Sequence, residues 1–272
     1  MPLTIAEKRA AFRGLHQEGC FVLPNPWDIG SARLFQHMGF SALASTSSGF
    51  AWTLGKPDYA LTCEEVLEHL SSLVNAVDLP INADFEAGFA STPEGVAENV
   101  TRAVKIGIAG LSIEDRDLGT GTLYETPMAL ERLRAARAAI TLSGEDVLLV
   151  ARTEALLMDP TAVTQATASL VAFAAAGADC LYAPGVRSKE HIAAMVHAVA
   201  PLPLNVLALD ADLTLAELAD LGVRRISVGG ALASAGWGTI CTIAEQIKSG
   251  SFTRLIELRS GAKMNQIFSQ FE

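Results

Sequence analysis

The 272-residue chain is half hydrophobic, carries charge on only 18% of its residues, and sets 20 Lys and Arg against 30 Asp and Glu for a net charge of −10. A soluble domain usually has about 25% charged residues; the shortage excludes disorder, and the acidic balance excludes a nucleic-acid partner, whose phosphates it would repel. A membrane span is excluded too, since no run approaches ~20 apolar residues and the most apolar stretch, 170–178, is cut by Asp179.

The first 15 residues have an amphipathic helix pattern carrying Glu7, Lys8 and Arg9, without the continuous apolar region of a signal peptide. Cys20, Cys63, Cys180 and Cys241 are scattered and form no CxxC pair. They read as reduced thiols, so a cytoplasmic location is expected. Short β-rich runs follow at 21–24, 42–46, 80–86, 109–115, 147–152, 179–184, 203–207 and 224–229. Helical patterns lie at 28–38, 62–76, 93–106, 127–142, 160–176, 188–199, 214–221 and 231–248. Pro93, Pro127 and Pro160 stand near helix starts. Thr62 with Glu65, and Thr214 with Glu217, read as capping boxes. Gly107, Gly177 and Gly222 read as helix stops.

Strands that are nearly continuous apolar runs belong in a parallel sheet covered on both faces. Eight of them alternating with eight helices predict a single (β/α)8 TIM barrel over 1–272. A doubly wound open sheet is the rival fold, but no GxGxxG follows an early strand. An additional amphipathic segment spans 252–268.

In such a barrel the chemistry sits at the C-terminal strand ends. The polar residues there are Asn25 to Asp28, Ser45-Thr46-Ser47, Asp58, Asn82, Asp84, Glu86, Glu114-Asp115, Arg152-Thr153-Glu154 and Asn205. Strand alternation would put Asn82, Asp84 and Glu86 on one face. Asp58, Asp84, Glu86 and Glu114 then crowd one mouth, where like charges need compensation. All-oxygen ligands suit Mg2+, or Mn2+, rather than zinc. Arg152 offers a planar fork to an anionic substrate, and Ser45 to Ser47 offer hydroxyls and N–H groups to a carboxylate. No lysine is predicted at a strand end, and all five histidines fall on helical segments. A Schiff base, a histidine base and a histidine-held metal therefore lose support.

Leu23-Pro24-Asn25-Pro26-Trp27-Asp28, Ser45 to Ser47, Leu54 to Asp58, Ala83-Asp84-x-Glu86-x-Gly88, Ile113-Glu114-Asp115 and Ala151 to Glu154 resemble the isocitrate lyase/phosphoenolpyruvate mutase superfamily, in order and over nearly the whole chain. The resemblance implies a Mg2+-dependent barrel acting on 2-oxo or 2-hydroxy acids through a pyruvate enolate. It implies metal binding by Asp84 and Glu86, with Asp58 and Glu114 assisting through water. It assigns substrate contact to Ser45, Thr46, Ser47 and Arg152; Trp27 and Asn205 join them as strand-end candidates. It implies a homotetramer, a dimer of swapped dimers, in which residues 231–268 are exchanged with a partner subunit. The loop after the fourth strand departs from the pattern. It reads Arg116-Asp-Leu-Gly-Thr-Gly-Thr-Leu-Tyr124-Glu125, without the Cys of the isocitrate and methylisocitrate lyases and without the Lys and Asn of the mutase branch. The second aspartate of the usual Asp-x-Asp-x-Gly run is Glu86. These departures point to oxaloacetate decarboxylase-like or other 2-oxo-acid enzymes: a Mg2+-dependent carbon–carbon lyase or decarboxylase for a small dicarboxylic acid, with Arg152, Glu114, Asp58 and Tyr124 as catalytic candidates. A carbon–phosphorus bond enzyme and a non-catalytic oxo-acid-binding barrel remain as alternatives.

Overall fold

The computed structural model describes residues 2–117, 119–208, 213–257 and 261–272. Its eight strands are β1 (Phe21–Leu23), β2 (Leu43–Ala44), β3 (Ile81–Asp84), β4 (Gly110–Glu114), β5 (Leu148–Arg152), β6 (Cys180–Tyr182), β7 (Leu204–Leu207) and β8 (Arg225–Ser227). Neighbouring strands pair in parallel throughout, in the order β1-β8-β7-β6-β5-β4-β3-β2. The Ala44 N–H reaches the Pro24 carbonyl at 3.1 Å and draws the two ends together. The result is the expected (β/α)8 barrel, and each strand falls inside its expected range.

The helices are α1 (Ile5–Leu15), α2 (Ile29–His37), α3 (Ser47–Thr53), α4 (Cys63–Ala76), α5 (Pro93–Ile106), α6 (Thr126–Ser143), α7 (Ala155–Met158), α8 (Val163–Ala175), α9 (Lys189–Val199), α10 (Leu215–Asp220), α11 (Ala231–Lys248) and α12 (Gly261–Phe268). Both expected capping boxes are made, Thr62 with Glu65 and Thr214 with Glu217. Gly107 ends α5 in the left-handed conformation at φ 103°. Two short helices were not expected. Thr46 caps α3 by accepting from the Gly49 N–H, and α7 follows directly on Glu154. The helix expected from residue 160 starts later, because Asp159 ties down the Thr161 N–H and hydroxyl at 2.8 and 2.7 Å and makes a turn first.

The main core lies between the strands and the surrounding helices. A smaller cluster of Phe12, Leu23, Ala42, Ala44, Ala109 and Leu148 shows how α1 plugs one end of the barrel. Lys8 and Arg9 seat that helix by donating to the carbonyls of Val77, Ile108 and Val104. The sealed end leaves the opposite mouth for chemistry. Among the described residues no helix is long and apolar enough to cross a membrane.

Candidate active site

Strand register sets the site's frame. Asp84 pairs with Ser112, and Glu114 with Arg152, so β3, β4 and β5 deliver two acids and a cation to one rim. Asp84 is held in place: Ser47 donates to its Oδ2 from both backbone and hydroxyl at 2.9 Å, while the Asp84 N–H donates to Ser45 Oγ at 2.8 Å. The Ser45 to Ser47 segment thus buttresses the acid, and Thr46 caps α3.

Arg152 faces three carboxylates. Its Nε donates to Glu154 and lies 3.4 Å from Glu114, and its Nη1 lies 3.5 Å from Asp84. Burial works against its charge, but Glu154, Glu114, Tyr182 and Asp84 together outweigh it and keep the guanidinium ionised. Glu154 is fully buried. Its other oxygen accepts from the Tyr59 hydroxyl at 3.3 Å, and its N–H donates to Asp115 at 2.8 Å. Burial raises the Tyr59 hydroxyl far above its usual range, reinforced by Glu114 and Glu154.

Glu86 departs from the expected alternation. It lies past the end of β3, with φ 44°, a left-handed conformation uncommon for a residue with a side chain. Its carboxyl is nonetheless buried, and burial, Asp84 and Asp58 push it up to about 8. Among the described residues, both Glu86 oxygens and Glu114 Oε1 lack a hydrogen-bond partner. Burial, followed by the charges of Glu154, Asp84 and Glu86, drives Glu114 well above the carboxylate range despite Arg152. Asp58 lies on the rim loop, raised by partial removal from water and by Asp84.

These orphaned oxygens fit a cation. Among the described residues, however, no three His, Cys, Asp or Glu side chains already stand close enough to grip one. The four-acid set is linked by charge rather than assembled as a cage, which suits an ion that keeps several waters.

Other expected residues lie elsewhere. Tyr124 turns to Arg132, whose guanidinium covers its ring at 4.4 Å, and lines a separate cavity with Phe89 and Asp117. Asn205 is buried inside the barrel and donates to Ser227 Oγ at 3.0 Å. Trp27 packs edge-on against Phe35. Pairing of Arg152 with Glu114 or Glu154 is legible from the sequence, and both contacts are present; Tyr59 is not, its only sequence cue being its place beside Asp58.

Comparison with known proteins gives the family of this barrel with its acid rim and inward arginine. The model of the phosphoenolpyruvate phosphomutase family matches residues 12–248, so the chain belongs to that family, within the phosphoenolpyruvate mutase/isocitrate lyase superfamily. A crystal structure from Burkholderia cenocepacia J2315, provisionally described as a lyase or mutase, is 41% identical with a TM-score of 0.93 and 97% of each chain covered. An oxaloacetate decarboxylase of Paraburkholderia xenovorans (strain LB400) is 31% identical over 81% of this chain and 74% of its own length. A structure of oxaloacetate acetylhydrolase with its product oxalate has a TM-score of 0.86 at 26% identity, covering 98% of this chain and 94% of that one.

Proposed function

We propose that the chain is a Mg2+-dependent carbon–carbon lyase or decarboxylase for a small 2-oxo or 2-hydroxy dicarboxylic acid. The observation that carries this reading is the convergence of Asp84, Glu114 and Glu154 on Arg152 beside the partnerless oxygens of Glu86 and Glu114. Asp84, Glu86, Asp58 and Glu114 would hold the cation, directly or through water. When bound, it would supply positive charge beside the C2 oxygen, where negative charge develops in a decarboxylation and where the deprotonated hydroxyl stands before a C2–C3 cleavage.

The chain's own groups do the rest. Arg152, fixed by its three acids, presents remaining N–H groups to the substrate carboxylate. Ser45 to Ser47 set the position of Asp84. Tyr59 Oη keeps its proton because burial and acidic neighbours disfavour phenolate; in this reading it is a proton source for the carbon released by cleavage. Tyr124, turned to Arg132, has no part in that step. Residues 231–268 are proposed to lie against a partner subunit in a homotetramer. In support, Ala233 is the one buried residue of α11, while Trp237, Ile240 and Ile247 are exposed. A cytoplasmic setting goes with the free cysteines.

The test is a product-resolved screen of 2-oxo and 2-hydroxy diacids and phosphonopyruvate with Mg2+, using Asp84→Ala as control. The expected result is a 2-oxo acid released from a diacid by the wild type and a loss of at least about 10³-fold in the variant. Turnover of phosphonopyruvate with none of any diacid would favour the carbon–phosphorus chemistry of the family instead.

A further inference from the structure

Arg116 directly follows the Glu114-Asp115 strand end. It forms an isolated antiparallel bridge with Leu123. Next to it, Asp117 accepts from the Gly119 N–H at 2.9 Å and the Thr120 hydroxyl at 3.1 Å. The Arg116 guanidinium lies 4.2 Å from the centre of the Tyr59 ring, the same tyrosine whose hydroxyl donates to Glu154. Its charge also bears on the Glu86 carboxyl. Arg116 is therefore a second cation at the mouth.

The two arginines differ in what they have left to offer. Arg152 is matched against three acids. Among the described residues, Arg116 has no acid within ion-pair distance, and its partner is an aromatic face. Stacking engages the flat face of a guanidinium and leaves its N–H groups free in the plane for two-point binding of a carboxylate. The rim has an excess of acids, so a doubly charged substrate needs such a counter-charge at its far end.

We propose that Arg116 binds the distal carboxylate of the substrate and makes this site selective for diacids over monoacids of the same length. The proposal rests on the oxo- or hydroxy-acid reading of the site above. It also bears on the reaction. A carboxylate held as an anion by Arg116 resists loss as CO2, because decarboxylation moves its negative charge onto the rest of the molecule. Cleavage of the C2–C3 bond of a 2-hydroxy diacid has no such cost. A base takes the hydroxyl proton, the C2–oxygen double bond forms, the C2–C3 electron pair passes to C3, and C3 takes a proton. The distal carboxylate leaves intact in the second acid.

Calorimetric titration of the full chain in Mg2+ with malate and with 2-hydroxybutyrate, which replaces the distal carboxylate by a methyl group, tests the proposal. The wild type should bind malate at least about tenfold more tightly, the equivalent of one charge-assisted contact. Arg116→Gln should erase that preference and leave 2-hydroxybutyrate affinity unchanged, while Arg116→Lys should restore part of it. A malate preference that survives in Arg116→Gln, or an equal weakening of both ligands, overturns the proposal. Oxalate is titrated alongside. Wild-type protein that binds oxalate without preferring malate rejects the Arg116 assignment alone, whereas failure to bind any of the three rejects the functional reading as well.

Discussion

Arg152 donates from Nε to the buried carboxylate of Glu154, two residues further along the chain, and Tyr59 holds that carboxylate's other oxygen. The pair fixes a cation inside a ring of acids. Arg152→Ala leaves Glu154, Glu114 and Asp84 uncompensated and should cost about 3–5 kcal/mol in urea unfolding. Arg152→Lys keeps the charge without the fork; it should recover most of the stability yet remain about 10²-fold down in kcat/KM. Equal recovery of both would mean that charge alone matters at this position.

Acid–base linkage gives a second prediction. Glu86 is pushed up to about 8 by burial, Asp84 and Asp58, against about 4.3 in an unfolded chain. The native state therefore binds that proton more tightly. Its contribution is complete below about pH 4 and is lost as pH rises through about 8. Metal-free protein should melt on the order of 5 °C lower at about pH 9 than at about pH 6.5, and Mg2+ should reverse much of the fall. Burial holds His16 near 3 and His69 near 4; their contribution is lost on the acid side, outside this window. A metal-free melting temperature that rises over the same interval would contradict the assignment.

Glu86→Gln separates the two roles of that carboxyl. Without Mg2+ the variant should be more stable, since a buried acid with no partner is gone. Its Mg2+ affinity should fall by at least about tenfold. Thermal melts in chelator and in Mg2+ read both effects from one sample.

Arg132 supports the turn that carries Glu86. It is almost fully buried in α6, and its Nη2 donates to the carbonyls of Ala87 and Ala90 at 2.5 and 2.8 Å. Arg132→Met should lose about 2–3 kcal/mol of stability and weaken Mg2+ binding through the loosened turn. Unchanged Mg2+ affinity in a destabilised variant would confine Arg132 to holding the fold.

The exposed face of α11 predicts association. Trp237→Glu puts a charge among apolar residues that include Ile240 and Ile247. Light scattering should show a multimer for the wild type and a smaller species for the variant. A monomeric wild type would remove the support for exchanged C-terminal helices.

The barrel was legible because its strands are short apolar runs and its helices carry explicit punctuation, such as the Thr62–Glu65 box and Gly107. Periodicity is silent on pieces as short as Ser47–Thr53, which is only seven residues long. It also misses a local break such as the Asp159 turn. Asp84, Glu114 and Arg152 were legible as strand-end residues. Glu86 was placed by alternation, yet a left-handed residue, not alternation, brings it to the mouth. Tyr59 and Tyr124 are both loop tyrosines in the sequence. Only three-dimensional packing turns one to Glu154 and the other to Arg132.

The barrel closes between its first two strands through the Ala44 N–H and the Pro24 carbonyl, and β2 is only two residues long. Wall segments with so little backbone pairing breathe first. Amide exchange at Ala44 should therefore outpace exchange within β4 and β5. Directly beyond Ala44, Ser45 and Ser47 hold Asp84, so the supports of this acid adjoin the least-paired part of the wall.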